Sequence, residues 1–467
     1  MDPIHDLHSQ NVLIDDANVT LEEFFNAAES FDCENASVTP SLLFPSASGV
    51  IASLKEIPQF YFKDGPPPKS SVKHRLLYRV IQYFNCYSDM LGVEDFKSVT
   101  KKMCKLPSFF CRTLFKRIDT ECKGTIRSYE FIQFWVTSNM MAMDKATQIY
   151  RILKQSNNNY LTKEDFKPII DEFVEVHPYL QFLQKTPVFQ EIYAQTVIYT
   201  IFYHLDKAGC GCITLKNLKH GDLIPLLQHV EDEKDLDKSR SRKYFSYKCF
   251  FVLYCKFCRL DLDCDFALDK YDLMRYGNNA LSSRIIERIF SQIPRKFTCK
   301  IEGKMGYEDF IYFMLAEEYK SSEPSVIYWF KCLDLNGIGV ITRNDLQYFF
   351  DEQLHRMNCL NRVVLLFENV LCQIYDIIHP ENEDFLTLQD FKACQLSGVV
   401  FDVLFNIFKY LSFENYETFS KRRIRLSSNQ TEWDIFVSTQ HSLLVEDYFE
   451  NDDAGFIDDD DEVSAMY

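Results

Sequence analysis

The sequence predicts an all-α protein assembled from helix-loop-helix pairs, and three observations carry that prediction. From about residue 70 to 440, apolar residues recur at spacings of three and four, the period that lines one face of a helix. Short polar stretches interrupt this pattern roughly every 20 to 30 residues, as they would between paired helices. Glycine supplies only 14 of 467 positions, too few for an all-β chain of tight turns or for glycine-rich phosphate loops.

A chain of 467 residues exceeds what one hydrophobic core usually holds, so the helices are expected in two lobes, 69–240 and 241–440. Hydrophobic residues make up 46%, with 41 Phe and 26 Tyr, so burial can offset the ordering entropy over most of the length. Disorder is expected only at the ends. Residues 1–68 read as a mobile arm; its first 50 residues contain no Lys or Arg, and a greasy docking segment at 57–62 precedes Pro66, Pro67 and Pro68, which stiffen the backbone. Residues 441–467 read as an acidic disordered tail, because Asp452, Asp453 and the run Asp458 to Glu462 repel one another.

A net charge of −17 opposes binding to nucleic acid and suits cations or basic protein surfaces. The chain has no apolar run near the ~18 residues of a membrane span, no secretory signal in MDPIHDLHSQ, and 16 Cys without framework spacing. These features point to the reducing cytoplasm or nucleus.

The polar breaks share a detail. An aliphatic residue is followed four positions on by an acid or amide: Ile126 and Glu130, Leu161 and Asp165, Ile213 and Asn217, Leu268 and Asp272, Met305 and Asp309, Ile341 and Asp345, Leu386 and Asp390. In a calcium loop of twelve residues, the aliphatic eighth position joins a short strand pair and the twelfth begins the exiting helix. Seven echoes indicate a degenerate internal repeat of EF-hand-like units.

One repeat is furnished for chemistry. Residues 261–272 read DLDCDFALDKYD, with Asp261, Asp263, Asp265 and Asp269 at positions 1, 3, 5 and 9, the Ala267 carbonyl at 7, and Asp272 at 12. Calcium takes six to eight hard oxygen ligands, and alternating carboxylates on a tight loop supply them. Apolar residues Phe250, Tyr254, Phe257 and Leu260 upstream, and Leu273 and Tyr276 downstream, bracket the loop with amphipathic helices. Two positions depart from the pattern: Phe266 stands where glycine usually turns the chain, and Asp272 is shorter than the usual bidentate Glu. A second loop, 334–345, offers Asp334, Asn336, the Val340 carbonyl and Asp345, but Ile338 donates no oxygen at position 5. The loop at 119–130 keeps Asp119, Glu121 and Glu130 yet places Lys123 at position 5; those at 206–217 and 379–390 read as structural.

Other signals read as structural. Cys255 and Cys258 form a C-x-x-C inside a helix without a second pair, which favours core thiols over zinc. Basic clusters at 238–243 and 421–425 read as solvated faces, and none of the catalytic motifs of hydrolases, kinases or metalloproteases is present.

Several stretches, in order, resemble the B-double-prime regulatory subunits of protein phosphatase 2A: IPQFYF at 57, HPYLQFLQKTPVF at 177, YFSYKCFFVLYCKFCRLDLDCD at 244, SSRIIERIF at 282, YWFKCLDLNGIGV at 328, YFFDEQLHRM at 348, VLCQIYDIIHP at 370, and Glu432-Trp433-Asp434. The resemblance runs from about 57 to 437. It implies an elongated, non-enzymatic helical protein that binds calcium (Ca2+), joins the phosphatase scaffold and catalytic subunits in a heterotrimer, and selects phosphoprotein substrates. It implies a first calcium site on Asp261, Asp263, Asp265 and Asp272, and a second on Asp334, Asn336, Ile338 and Asp345, where the family usually has Asp rather than Ile. The alternative is a stand-alone EF-hand calcium sensor or buffer, which would need several well-furnished loops.

Overall fold

Four helix starts in this chain follow one recipe. Thr162, Asp269, Thr342 and Thr387 each precede a helix whose third residue is an acid, and each forms a reciprocal capping box with Asp165, Asp272, Asp345 or Asp390. The box satisfies two orphan donors of the first turn at once. This computed structural model describes residues 70–155, 158–362, 365–414 and 430–454. The expected docking segment 57–62, the basic cluster 421–425 and the Asp458 to Glu462 run lie outside the described residues.

The helices are α1 (Ser70–Asn85), α2 (Val93–Lys102), α3 (Cys111–Ile118), α4 (Ser128–Ile132), α5 (Lys145–Leu153), α6 (Lys163–Val176), α7 (Pro187–Leu205), α8 (Leu215–His220) and α9 (Leu223–His229). They continue with α10 (Arg242–Phe245), α11 (Tyr247–Leu260), α12 (Lys270–Met274), α13 (Ser283–Phe290), α14 (Tyr307–Glu318), α15 (Glu323–Leu333) and α16 (Arg343–Cys359). The last are α17 (Phe367–Ile378), α18 (Leu388–Ala393), α19 (Ser397–Phe405), α20 (Ile407–Glu414) and α21 (Glu432–Ala454). Four short strands, β1 (Ala267–Leu268), β2 (Met305–Gly306), β3 (Val340–Thr342) and β4 (Phe385–Thr387), form two antiparallel pairs, β1 with β2 and β3 with β4. Among the described residues no helix is long and apolar enough to cross a membrane.

The chain divides into two compact units, Met1–Ala194 with Ile213–Asp235, and Gln195–Cys212 with Leu236–Tyr467. The last of the three boundaries falls at Asp235/Leu236, against the 240/241 expected from the sequence. The first falls inside α7, and polar contacts account for it: Thr196 Oγ1 lies 3.0 Å from the Tyr307 hydroxyl and the Tyr203 hydroxyl 2.7 Å from Ser325 Oγ, tying the end of α7 to α14 and α15.

The internal repeat forms the skeleton of both units. In the first, single bridges join Leu91 to Ile126 and Leu161 to Ile213; in the second, Leu268 faces Met305 and Ile341 faces Leu386. All eight side chains are fully buried, and each contributes roughly 2 kcal/mol of apolar burial. Around them the first unit packs Phe96 edge-to-face against Phe115 and Phe131. The second is centred on Trp329, whose ring lies 4.5 Å from Phe405 and whose Nε1 donates to the Ala316 carbonyl at 2.7 Å.

Two expectations are corrected here. The acidic stretch does not leave the fold at 441: α21 runs on to Ala454. The reason is an apolar stripe, Trp433, Val437 and Leu444, which is buried, with His441 packed 5.6 Å from Phe251 of α11 and Asp447 paired to Arg259 at 3.0 Å. The basic cluster at 238–243 is not simply a solvated face either, because Arg242 Nε and an Nη donate to both oxygens of Asp434 at 3.0 and 3.1 Å.

Candidate metal centre

The loops keep their shape through carboxylates that act on the backbone, with or without an ion. The position-1 aspartate accepts the N–H groups of positions 5 and 6: Asp119 from Lys123 and Gly124, Asp206 from Cys210 and Gly211, Asp261 from Asp265 and Phe266, and Asp334 from Ile338 and Gly339. At the far end, Glu130, Asp165, Asp272, Asp345 and Asp390 each accept the N–H three residues earlier. Positions 1 and 12 are therefore structural in every loop that keeps them. The side chains at positions 3 and 5 decide whether a loop can also hold a cation.

Only the 261–272 loop joins carboxylates at both to an aspartate at position 1; the 379–390 loop has Glu381 and Glu383 there but opens on His379. Ligand oxygens of Asp261, Asp263 and Asp265 all lie within 4.8 Å of one another, and this is the one such group of His, Cys, Asp or Glu among the described residues. α11 delivers Asp261 at its C-terminal end, and β1 begins immediately after the turn that carries the other two. Burial, then the neighbouring Asp263 carboxyl and the Asp265 charge, push Asp261 up to about 6. Three carboxylates this close repel one another unless positive charge sits among them. An all-oxygen, anionic donor set suits a hard divalent cation such as calcium, which these residues would hold by charge and oxygen coordination.

The other expected ligands are placed differently. Asp269 caps α12, accepting from Tyr271 N at 2.7 Å and Asp272 N at 2.9 Å. Asp272 accepts Asp269 N at 2.8 Å with one oxygen and the Arg275 guanidinium at 2.8 Å with the other. One methylene shorter than Glu, it is committed to the helix start rather than brought into the cluster. Ala267 is buried at the start of β1, its N–H donating to Asp265 Oδ1 at 2.9 Å.

Phe266 takes the left-handed conformation, φ 59°, that glycine usually supplies. A side chain there costs about 1 kcal/mol. Its ring lies 5.0 Å from Phe257 and 5.8 Å from Tyr307, contacts that offset the strain.

In the second loop, Ile338 is exposed, Asp334 is committed to the loop turn, and Asp345 is boxed with Thr342; Val340 lies in β3. Asn336 is left as the remaining side-chain donor. In the 119–130 loop, Lys123 pairs with Glu121 at 2.9 Å and Glu130 at 3.6 Å, taking up the acids itself. Of the C-x-x-C, Cys255 is half-buried and Cys258 exposed, both free thiols rather than core ones.

Two residues escaped sequence reasoning. Leu91 is the eighth bridge residue and has Asp95 four positions on, the same signal as the other seven. Lys304 comes from the facing loop: its ammonium lies 3.1 Å from Asp263 and also bonds Asp265. Those two carboxylates hold it well above the usual lysine range, and Lys304 in turn lowers Asp263.

Comparison with known proteins agrees with this architecture. A family described as an EF-hand domain matches residues 144–233. The chain is 51% identical over 405 residues to a probable B''epsilon regulatory subunit of serine/threonine protein phosphatase 2A from Arabidopsis thaliana, covering 86% of this chain and 76% of the relative. The chain belongs to the B'' regulatory subunits of protein phosphatase 2A. It is also 34% identical over 397 residues to the human beta form of these B'' proteins, covering 84% of this chain and 69% of that one. A solved chain described as a PP2A PR70 holoenzyme aligns with TM-score 0.54 and 39% identity, over 58% of this chain and 98% of the other. As a member of the B'' family the chain is a regulatory protein, not an enzyme. Within this B'' chain the EF-hand match takes in the Leu161 and Ile213 pair and ends before the carboxylate cluster of the 261 loop.

Proposed function

We propose that this chain holds calcium in the 261–272 loop and joins the scaffold and catalytic subunits of protein phosphatase 2A, directing that serine/threonine phosphatase to its phosphoprotein substrates. The observation that carries the calcium reading is the convergence of the Asp261, Asp263 and Asp265 carboxylates in a B'' chain. The likeness to a chain described as part of a PP2A holoenzyme supports the assembly reading.

A bound cation cancels the repulsion of the three carboxylates and fixes the angle between α11 and α12. The ordering energy of that junction is then spent before a partner arrives, so calcium strengthens assembly by pre-organisation. A free-standing calcium buffer would need several such clusters, and the described residues hold one.

The test is retention of the full-length chain on an immobilised scaffold and catalytic dimer, in calcium and in chelator. Wild type is retained in both and more strongly in calcium, while the Asp263→Ala, Asp265→Ala double variant loses the calcium increment. No retention in either condition contradicts the assembly reading; equal retention with and without calcium contradicts the calcium switch.

A further inference from the structure

The 261 loop already has a cation of its own beside it. Lys304 directly precedes β2, so the Leu268 to Met305 register holds it across from the loop. Its ammonium rests on Asp263 at 3.1 Å and on Asp265, the position-3 and position-5 carboxylates, and its side chain is only 19% exposed. The 119–130 loop carries the same device within one segment, Lys123 bridging Glu121 and Glu130. In both loops an ammonium sits where carboxylates would otherwise repel.

We propose that Lys304 is a tethered counter-ion that neutralises the 261 loop in the metal-free chain and must be displaced for calcium to enter, so that it sets the loop's affinity. This rests on the reading of that loop as a calcium site. Calcium needs the oxygens that Lys304 engages, and an ammonium left in place beside a divalent ion is repelled by it. Lysine suits the role because its charge sits on a flexible four-carbon stem that can swing into water without moving the strand pair. The device keeps the metal-free loop folded and weakens calcium binding together. Two partly exposed ion pairs to one ammonium correspond to a change of roughly fivefold to tenfold in affinity at low ionic strength.

Isothermal titration of the full-length chain with calcium chloride tests this, comparing wild type with Lys304→Met and Lys304→Arg, with thermal melting in chelator and in saturating calcium alongside. Lys304→Met is expected to bind calcium roughly fivefold to tenfold more tightly, to melt below wild type in chelator, and to match it in calcium; Lys304→Arg stays near wild type. Should the Met chain not fold, Lys304→Gln makes the same comparison. Equal or weaker binding by the neutral variant overturns the counter-ion role and leaves the calcium site standing. Absence of binding in both wild type and neutral variant overturns the calcium reading itself, and this inference with it.

Discussion

Arg242 and Asp434 meet through two parallel N–H to oxygen contacts, 3.0 and 3.1 Å long, across 192 residues of chain. The pair is half-buried and bidentate, the geometry in which an arginine-carboxylate contact is strongest. It fastens the start of α21 beside α11, where Trp433 and Val437 are buried. Arg242→Ala is expected to cost on the order of 2 kcal/mol. Hydrogen exchange checks it: amides of α21 should exchange about tenfold faster or more while those of α6 stay unchanged. Unchanged protection along α21 would show that its apolar stripe suffices alone.

The position-12 acids separate a structural from a metal-binding role. Asp345 is almost fully buried and accepts Thr342 N at 2.7 Å and Thr342 Oγ1 at 2.6 Å. Asp345→Ala should destabilise the chain by about 1 to 2 kcal/mol, the loss of a capping box. Unfolding in chelator and in calcium should give the same loss. A larger loss in calcium would mean that the 334–345 loop holds an ion.

A second buried group of charges lies away from the loops. Glu317 is 1% exposed and meets Lys409 at 3.0 Å and Lys320; Lys320 in turn lies 3.0 Å from Asp402. Asn406 donates to Glu317 at 2.7 Å. Burial works against the Glu317 charge, but the two ammonium groups hold its carboxyl below the usual range. Glu317→Ala removes the carboxylate that both lysines share, leaving Lys320 with Asp402 and Lys409 with Glu318, and should cost on the order of 3 kcal/mol. Urea unfolding of the second unit, followed through Trp329 fluorescence, checks it.

Glu172 gives a pH dependence of the opposite kind. Its carboxyl is buried, one oxygen accepting Arg112 N at 3.1 Å and the other lacking a partner, and burial pushes it up to about 7 despite Arg112. Below the unfolded value near 4.5 both states carry the proton and there is no penalty. As pH rises from there through about 7 the folded state alone keeps the proton, so stability falls, and above about 7 the loss is complete. Glu172→Gln should therefore be more stable than wild type by about 2 kcal/mol at pH 8 and little different at pH 4. Unfolding curves at the two pH values decide it, and an equal difference at both would contradict the buried-charge account.

The skeleton was legible because a bridge position demands one residue type. Ile126, Leu161, Ile213, Leu268, Met305, Ile341 and Leu386 were all marked by the spacing to an acid or amide, and all are paired and buried. The ligand set was legible only in part, since capping and coordination use the same side chain at the same place: Asp269 and Asp272 satisfy the motif yet serve α12. The span 441–454 was misread because acidic composition outweighed the helical spacing of Trp433, Val437 and Leu444. Lys304 had no local signal, because what brings it to Asp263 is the register of a strand pair between separate loops.

Calcium stoichiometry tests the central claim most directly. Equilibrium dialysis of the full-length chain should find one ion per chain, none in the Asp263→Ala, Asp265→Ala variant, and still one in Asp334→Ala. An ion-free wild type, or a double variant that binds as wild type does, would contradict the assignment of the 261–272 loop.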